Sequence, residues 1–182
     1  MKHQSPCLVP MFVYLLICIN TNADAQGNDR IETAGDALCN YILPAATAGL
    51  ILYNCDWKGA LEGAESAALT GGLTSGLKYA VNEKRPNGGN HSFPSGHASF
   101  SFGIAEFIGK RYGWEYGIPA YVAASFVGYS RVESNDHYTH DVVAGALIGI
   151  LSSYIFTNPY EGWHVQAGTD GKYYGIMLSR SF

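Results

Sequence analysis

Apolar residues are concentrated in five segments between residues 37 and 157, and polar or glycine-rich stretches separate them. The segments cover residues 37–54, 59–81, 96–110, 118–129 and 141–157. The first is apolar nearly all round a helix, apart from an interruption at Pro44, so it is expected to be buried or to lie in a membrane. The second contains Glu62 and Glu65, which argue against full contact with lipid. The pattern predicts an all-α fold, a helical bundle over residues 37–157.

The stretches between and after these helices have a different character. Residues 82–95 hold two prolines and two adjacent glycines, which predicts an irregular loop between two helices. Residues 158–182 form a tail, in which 163–167 and 172–178 predict two strands joined by an Asp-Gly turn at 170–171. The tail is therefore expected to carry a short C-terminal β-hairpin.

The first 25 residues have the pattern of a secretory signal peptide. Lys2 supplies a positive start, residues 8–19 are apolar, and Ala23 and Ala25 are small residues at a cleavage site. The alternative is an uncleaved transmembrane helix, but the apolar run is shorter than the roughly 17 residues that a span needs. Residues 26–36 are polar and are expected to form a loose arm.

Composition narrows the class of protein without settling where it resides. The chain has 182 residues, of which 47% are hydrophobic and 14% charged, and its mean hydropathy is essentially zero. These values exclude a disordered or highly charged protein. Eleven basic and fifteen acidic residues give a net charge of -4, so no nucleic-acid partner is indicated. Both a soluble protein and a membrane protein stay open.

Cleavage of the leader would remove two of the four cysteines and leave Cys39 and Cys55. A helix between these two would hold their sulfurs roughly 24 Å apart, which is beyond the reach of a disulfide. No bridge is therefore expected. An exported protein that needs no disulfide is typical of a bacterial periplasm.

Phosphate-binding residue types occur first in and around the loop at 82–95. Lys78 and Arg85 are cations on either side of its start, and Pro94-Ser95-Gly96-His97 leads directly into a helix. A helix start exposes unpaired N–H groups and a partial positive charge, so Ser95 and Gly96 are placed to hold an oxyanion. A histidine at that point is suited to protonate a leaving oxygen.

A second set of such residues lies just before the last apolar helix. Arg131 precedes His137 by six residues, and Asp141 follows His137 by four. One helical turn would place the Asp141 carboxylate beside the His137 ring, where it accepts one ring N–H and leaves the other nitrogen as a nucleophile. The guanidinium of Arg131 presents a planar fork that suits two phosphate oxygens. Each residue alone is ordinary, but their joint order predicts phosphate chemistry.

The series Lys78-x6-Arg85-Pro86, Pro94-Ser95-Gly96-His97 and Ser130-Arg131-x5-His137-x3-Asp141 resembles the three-part signature of the type 2 phosphatidic acid phosphatase superfamily. That superfamily also includes class A acid phosphatases and vanadium haloperoxidases. The resemblance covers residues 78–141 and the following helix. It implies a helical-bundle phosphatase that uses no metal and no cofactor.

The resemblance also implies roles for individual residues. His137 would attack phosphorus and form a phosphohistidine, with Asp141 orienting its ring. His97 would protonate the leaving group and then activate water. The phosphoryl oxygens would be bound by Lys78, Arg85, Ser95, Gly96 and Arg131. His140, beside Asp141, is expected to be a surface group or a neighbour of the site.

Two other functions and two locations stay open. The same residues suit a vanadate-dependent haloperoxidase, or a non-catalytic membrane protein that binds phosphate or lipid. With the leader counted as a span, six segments match the six spans typical of lipid phosphatases, and Lys58 and residues 110–111 would face the cytoplasm. The bundle would then be embedded in or associated with the inner membrane; otherwise it would be a soluble periplasmic enzyme. The expected substrate is a phosphorylated lipid or a small phosphomonoester outside the cytoplasm.

Overall fold

The computed structural model describes residues 30–161, together with the backbone of residues 163–169 and 174–180. The expected signal peptide at 1–25, residues 26–29 of the arm and the expected Asp-Gly turn at 170–171 lie outside the described residues. The described chain is a helical bundle, which confirms the predicted fold class. Its helices are α1 (Arg30–Ala37), α2 (Leu43–Tyr53), α3 (Trp57–Val81), α4 (Gly96–Tyr112), α5 (Trp114–Glu133) and α6 (Thr139–Phe156).

The first helices differ from the sequence prediction. Residues 30–37 are helical, where a loose arm is expected from their polarity, because this short helix packs against α5. A π-helical segment, Leu38–Ile42, joins α1 to α2. Pro44 follows it and has no N–H to donate to the carbonyl of the residue four positions back, which accounts for the changed hydrogen-bond pattern. Helix α5 is also longer than the predicted segment at 118–129.

Helix α4 lies at the centre of the bundle and contacts α3, α5 and α6. Glycines allow its closest approach, which is to α6. A Cβ atom at Gly149 would lie 2.0 Å from the Ser99 carbonyl oxygen, and one at Gly145 would lie 2.4 Å from the Ser95 carbonyl oxygen. No side chain fits between the two backbones at these points, so α4 and α6 are held in one register.

The interior of the bundle is rich in hydroxyl groups and the exterior is rich in apolar side chains. Ser99, Ser101 and Ser153 are fully buried. By contrast, large apolar residues are exposed on the outer helices, among them Ile118, Val122, Val143, Leu147 and Leu151. Among the described residues, two helical stretches, Arg30–Tyr53 and Thr139–Phe156, are long and apolar enough to cross a membrane by length and composition.

A buried ionic cluster occupies the end of the bundle where α3 begins and α4 ends. Arg111 is 4% exposed, and its Nε donates to Asp56 Oδ2 at 2.6 Å while its Nη1 donates to Glu62 Oε2 at 3.0 Å. Asn158 also donates to Glu62, through its backbone N–H and its side-chain amide. Arg111 is thus enclosed by two carboxylates, although its sequence position beside Lys110 resembles that of an ordinary surface cation.

The tail forms two antiparallel strands, β1 (Trp163–Thr169) and β2 (Tyr174–Arg180). Trp163 is paired with Arg180, and Thr169 is paired with Tyr174. The expected hairpin pairing is present, with β1 two residues longer than predicted and β2 shifted towards the C-terminus.

Candidate active site

The two motif-bearing stretches meet at the end of the bundle opposite the Arg111 cluster. Helices α4 and α6 both begin there, and the loop before α4 crosses the segment before α6. The Ser95 N–H donates to the Asp141 carbonyl oxygen at 3.0 Å, and the Asn87 N–H donates to the Asn135 carbonyl oxygen at 3.1 Å. These backbone bonds fix the loop against the second motif, so residues far apart in sequence share one site.

His137 lies in the turn before α6, 3% exposed, with its Nδ1 atom 3.5 Å from Asp141 Oδ2. The same carboxylate oxygen accepts the Tyr138 N–H at 3.0 Å and the Ser92 hydroxyl at 2.5 Å. His137 is not helical, so the expected adjacency arises from a different geometry: Asp141 is the third residue of α6 and caps its start. With Nδ1 facing the carboxylate, Nε2 is the nitrogen left for chemistry.

The environment of His137 holds its imidazole in the neutral form. Burial is the largest cause, and the positive charges of Lys78 and Arg85 add to it, whereas Asp141 acts in the opposite direction. Together they lower the pKa of His137 to about 3. A neutral ring keeps the lone pair that nucleophilic attack requires.

The first motif supplies cations at the edge of this pocket. Lys78 Nζ donates to the His91 carbonyl oxygen at 2.9 Å, while His91 Nδ1 lies 3.0 Å from the Lys78 carbonyl oxygen. This reciprocal pair fixes the end of α3 against the loop. Arg85 Nη1 lies 3.8 Å from Asp136 Oδ1, and Asn87 also donates to that oxygen at 3.0 Å.

Arg131 is 2% exposed and is surrounded by oxygen atoms. Its Nη1 lies 3.3 Å from Asp136 Oδ2 and 2.9 Å from Asp36 Oδ1, and its Nη2 donates to the Glu32 carbonyl oxygen at 2.9 Å. Asp136 thus stands between both arginines of the motifs. The three contacts fix the plane of the guanidinium.

The start of α4 contributes the remaining predicted residues. The Ser95 side chain is buried and caps the helix by accepting the Ala98 N–H at 3.5 Å. Its own N–H is committed to Asp141, so Gly96 provides the first amide of α4 in a position without an intrahelical partner. His97 Nε2 lies 3.2 Å from Asp36 Oδ1.

His140 is exposed, and its Nε2 lies 3.2 Å from Glu83 Oε1 and 3.1 Å from Asp141 Oδ1. It therefore touches the far side of the carboxylate that faces His137. Within the described residues, Glu83, His140 and Asp141 are the group whose donor atoms are close enough to hold a metal ion. The Nε2 atom of His140 therefore lies between two carboxylates, in hydrogen-bond distance of Glu83 and in ion-pair distance of Asp141.

Three site residues escape prediction from the sequence. Ser92 is fully buried against Asp141, although in sequence it is one polar residue in a polar loop. Asp136 directly precedes His137, and this place inside the third motif could have identified it as a site residue. Asp36 precedes the first motif in a stretch that looks like a solvated arm, so nothing in the sequence marks it.

Comparison with known proteins assigns this arrangement to a family. A family model described as the PAP2 superfamily matches residues 59–163, more than half of the chain. The lipid A 1-phosphatase of Porphyromonas gingivalis is 40% identical over 89 residues, which are 46% of this chain and 20% of that protein. Lipid phosphate phosphatase 1 of Arabidopsis thaliana is 34% identical over 131 residues, 60% of this chain and 39% of that protein. The lipid A 4'-phosphatase of Bacteroides thetaiotaomicron is 38% identical over 81 residues, 44% and 35% respectively. The chain thus spans well under half the length of these curated relatives.

Two crystal structures share the fold. LpxE of Aquifex aeolicus superposes with a TM-score of 0.62 at 22% identity, over 80% of this chain and 92% of that one. The transmembrane PAP2 type phosphatidylglycerolphosphate phosphatase of Bacillus subtilis gives a TM-score of 0.51 at 24% identity, over 81% and 92%. Each likeness covers about four fifths of this chain, which is more than the residues 59–163 that the family model matches.

Proposed function

The chain belongs to the PAP2 superfamily, and from that premise we propose that it is a phosphatase that hydrolyses a phosphate ester or diphosphate, most simply one carried by a lipid. The observation that carries the proposal is the burial of a neutral His137 between the Asp141 carboxylate and the charges of Lys78 and Arg85. A nucleophile held beside cations suits an anionic electrophile.

The reaction proceeds in two displacements. His137 Nε2 attacks phosphorus, so that a P–N bond forms as the P–O bond to the leaving group breaks, and His97 gives its proton to the leaving oxygen. Water then attacks the phosphohistidine, His97 takes a proton from it, and inorganic phosphate departs as the P–N bond breaks. Asp141 stabilises the charge that the ring carries in between.

Positioning and charge complete the proposed mechanism. Lys78, Arg85 and Arg131 bind the phosphoryl oxygens, and the Gly96 amide at the start of α4 adds a donor, with Ser95 holding that helix start in place. Neither of the two displacements needs a metal ion. The hydrolysis is thus metal-independent and requires no cofactor.

A membrane location is supported by the surface of the bundle. Exposed tyrosines and tryptophans gather at both ends, as aromatic residues do at membrane interfaces: Tyr53, Trp57, Trp114 and Tyr154 at one end, and Tyr79, Tyr129 and Tyr138 at the site end. Apolar side chains cover the outside between them, and the 20 residues of α5 extend about 30 Å, the thickness of a hydrocarbon core. The site then opens at the membrane surface, where a lipid phosphate headgroup lies.

We further propose that the site faces the outside of the cytoplasmic membrane, in a bacterial periplasm. The expected leader supports this orientation, and so do Lys58 and Lys110 at the end opposite the site, where the positive-inside rule expects cations. A membrane-impermeant maleimide should label Asn90→Cys, in the exposed loop, on intact cells, and should label Cys55 at the opposite end only after permeabilisation. Labelling of Cys55, but not of the cysteine at position 90, on intact cells would show that the protein has the opposite orientation.

The activity is tested by phosphate release from the detergent-extracted full chain and by trapping the covalent intermediate. Phosphatidic acid, phosphatidylglycerol phosphate, an isoprenyl diphosphate and an aryl phosphate form the substrate panel. Acid quenching during turnover of ³²P-labelled substrate should yield an acid-labile phosphohistidine in the wild type and none in His137→Ala. Folded protein that releases phosphate from no member of the panel would refute the proposal.

A further inference from the structure

Helix α1 brings a carboxylate to the site from outside the three motifs. Asp36 Oδ1 is a buried atom in ion-pair contact with Arg131 Nη1, at 2.9 Å, and with His97 Nε2, at 3.2 Å. One oxygen thus touches both the proposed general acid and a proposed phosphate-binding cation. Asp36 precedes residues 59–163, so the family signature does not include it.

Close packing fixes the helix that carries this carboxylate. A Cβ atom at Gly35 would lie 2.0 Å from Ser130 Oγ, so only a glycine lets α1 approach α5 at the residue before Arg131. The Glu32 carbonyl oxygen accepts a hydrogen bond from Arg131 Nη2 at 2.9 Å. Four residues after Gly35, the Cys39 thiol donates to the His97 carbonyl oxygen at 3.7 Å. Two contacts of α1 and one of the π-helical segment after it therefore hold this part of the chain against the site.

The two histidines of the site have matching surroundings. His137 turns Nδ1 towards Asp141 and leaves Nε2, whereas His97 turns Nε2 towards Asp36 and leaves Nδ1. A carboxylate that accepts one ring N–H fixes the tautomer and the orientation of an imidazole, and it stabilises the protonated ring. General acid catalysis by His97 needs both properties, because the ring must carry a proton and aim it at the leaving oxygen.

We propose that Asp36 is the positioning residue of His97, just as Asp141 is the positioning residue of His137. The inference rests on the proposed phosphatase function. Since the same oxygen touches Arg131, Asp36 also sets the acid at a fixed distance from the cation that holds the phosphoryl group. Proton delivery and phosphate binding are thereby aligned by a single carboxylate from α1.

The test varies the leaving group, because a good leaving group departs without a proton and a poor one does not. In Asp36→Asn, kcat/KM for an alkyl phosphate should fall about 10- to 100-fold, and kcat/KM for dinitrophenyl phosphate should fall less than about threefold. Asp36→Glu should restore part of the alkyl phosphate activity. Glu133→Gln removes the same charge from an exposed position at the end of α5 and should leave both values unchanged.

Three results would overturn the inference. Equal losses of kcat/KM on both substrates in Asp36→Asn would make Asp36 a structural residue. A lower inhibition constant for inorganic phosphate in this variant, with kcat unchanged, would mean that Asp36 competes with phosphate for Arg131. The third readout needs no activity: in ¹⁵N-histidine-labelled protein, Asp36→Asn should change the Nε2 resonance of His97, identified by its loss in His97→Gln. An unchanged resonance would contradict the contact itself. A wild type that is inactive on both substrates would count against the phosphatase function, and the resonance would still decide the role of Asp36.

Discussion

At the scale of the residue, the chemistry of the site depends on how each ionisable group is surrounded. The Asp141 carboxylate accepts from Ser92 and from the Tyr138 N–H, so it has a fixed orientation when it meets the His137 ring. The ring in turn lies beside two cations and out of solvent. In these surroundings the His137 ring, the proposed nucleophile, stays neutral at a mildly acidic pH at which a solvent-exposed histidine is a cation.

The protonation state of His137 can be measured directly. Its pKa of about 3 means that the ring is neutral at pH 5, where a free histidine is mostly protonated. In ¹⁵N-histidine-labelled protein, the His137 resonances should therefore not titrate between pH 8 and about pH 4.5, whereas Lys78→Met should raise the pKa by removing a neighbouring positive charge. His137→Asn identifies the signals. A titration midpoint near 6.5 in the wild type would contradict the buried, cation-flanked environment.

At the scale of the element, the site depends on how closely α4 and α6 approach each other. The bond from the Ser95 N–H to the Asp141 carbonyl oxygen joins the starts of both helices, and Gly145 and Gly149 leave the space for it. The apolar pattern predicts both helices from the sequence. The contact between them was not predictable, because a glycine in an apolar helix looks the same whether it faces a neighbouring backbone or open space.

Two alanine substitutions separate these cases. Gly149→Ala places a methyl group against the Ser99 carbonyl oxygen and should destabilise the protein by about 2 kcal/mol or more, since backbone has to move. Gly76→Ala, in α3, meets no atom within 4 Å and should stabilise it by about 1 kcal/mol, because alanine favours helix more than glycine does. Thermal unfolding of both variants in one detergent gives the comparison. Equal shifts in Tm would mean that α4 and α6 are not in close contact.

At the scale of the whole molecule, two polar centres lie at opposite ends of one bundle. Residues 78–141 could be assigned to a site from the sequence because their order and spacing are distinctive. The Arg111 cluster could not, since Asp56, Glu62 and Arg111 lie far apart in the chain and each resembles an ordinary surface charge. Asp36 could not be predicted as a site residue for the same reason. Its partners come from long-range packing, and the local sequence pattern does not indicate them.

The Arg111 cluster is expected to stabilise the fold by keeping its carboxylates paired. Arg111→Met leaves Asp56 and Glu62 buried without their cation and should cost about 3–5 kcal/mol of unfolding free energy. Lys58→Met removes the same charge from an exposed side chain at the same end and should change stability by less than about 0.5 kcal/mol. Denaturant unfolding of both variants measures the difference. Similar stability of the two variants would show that the cluster is solvated.

Helix α4 is the element that both polar centres share, with Ser95 at its start and Arg111 near its end. Each residue added to a helix turns the remainder by about 100° and advances it by about 1.5 Å. One inserted residue would therefore rotate one end of α4 out of its contacts. Either Arg111 would lose its carboxylates or the start of the helix would lose Asp141. The length of α4 therefore sets both the distance and the angle between the two polar centres, and an insertion or deletion inside this helix disturbs one of them.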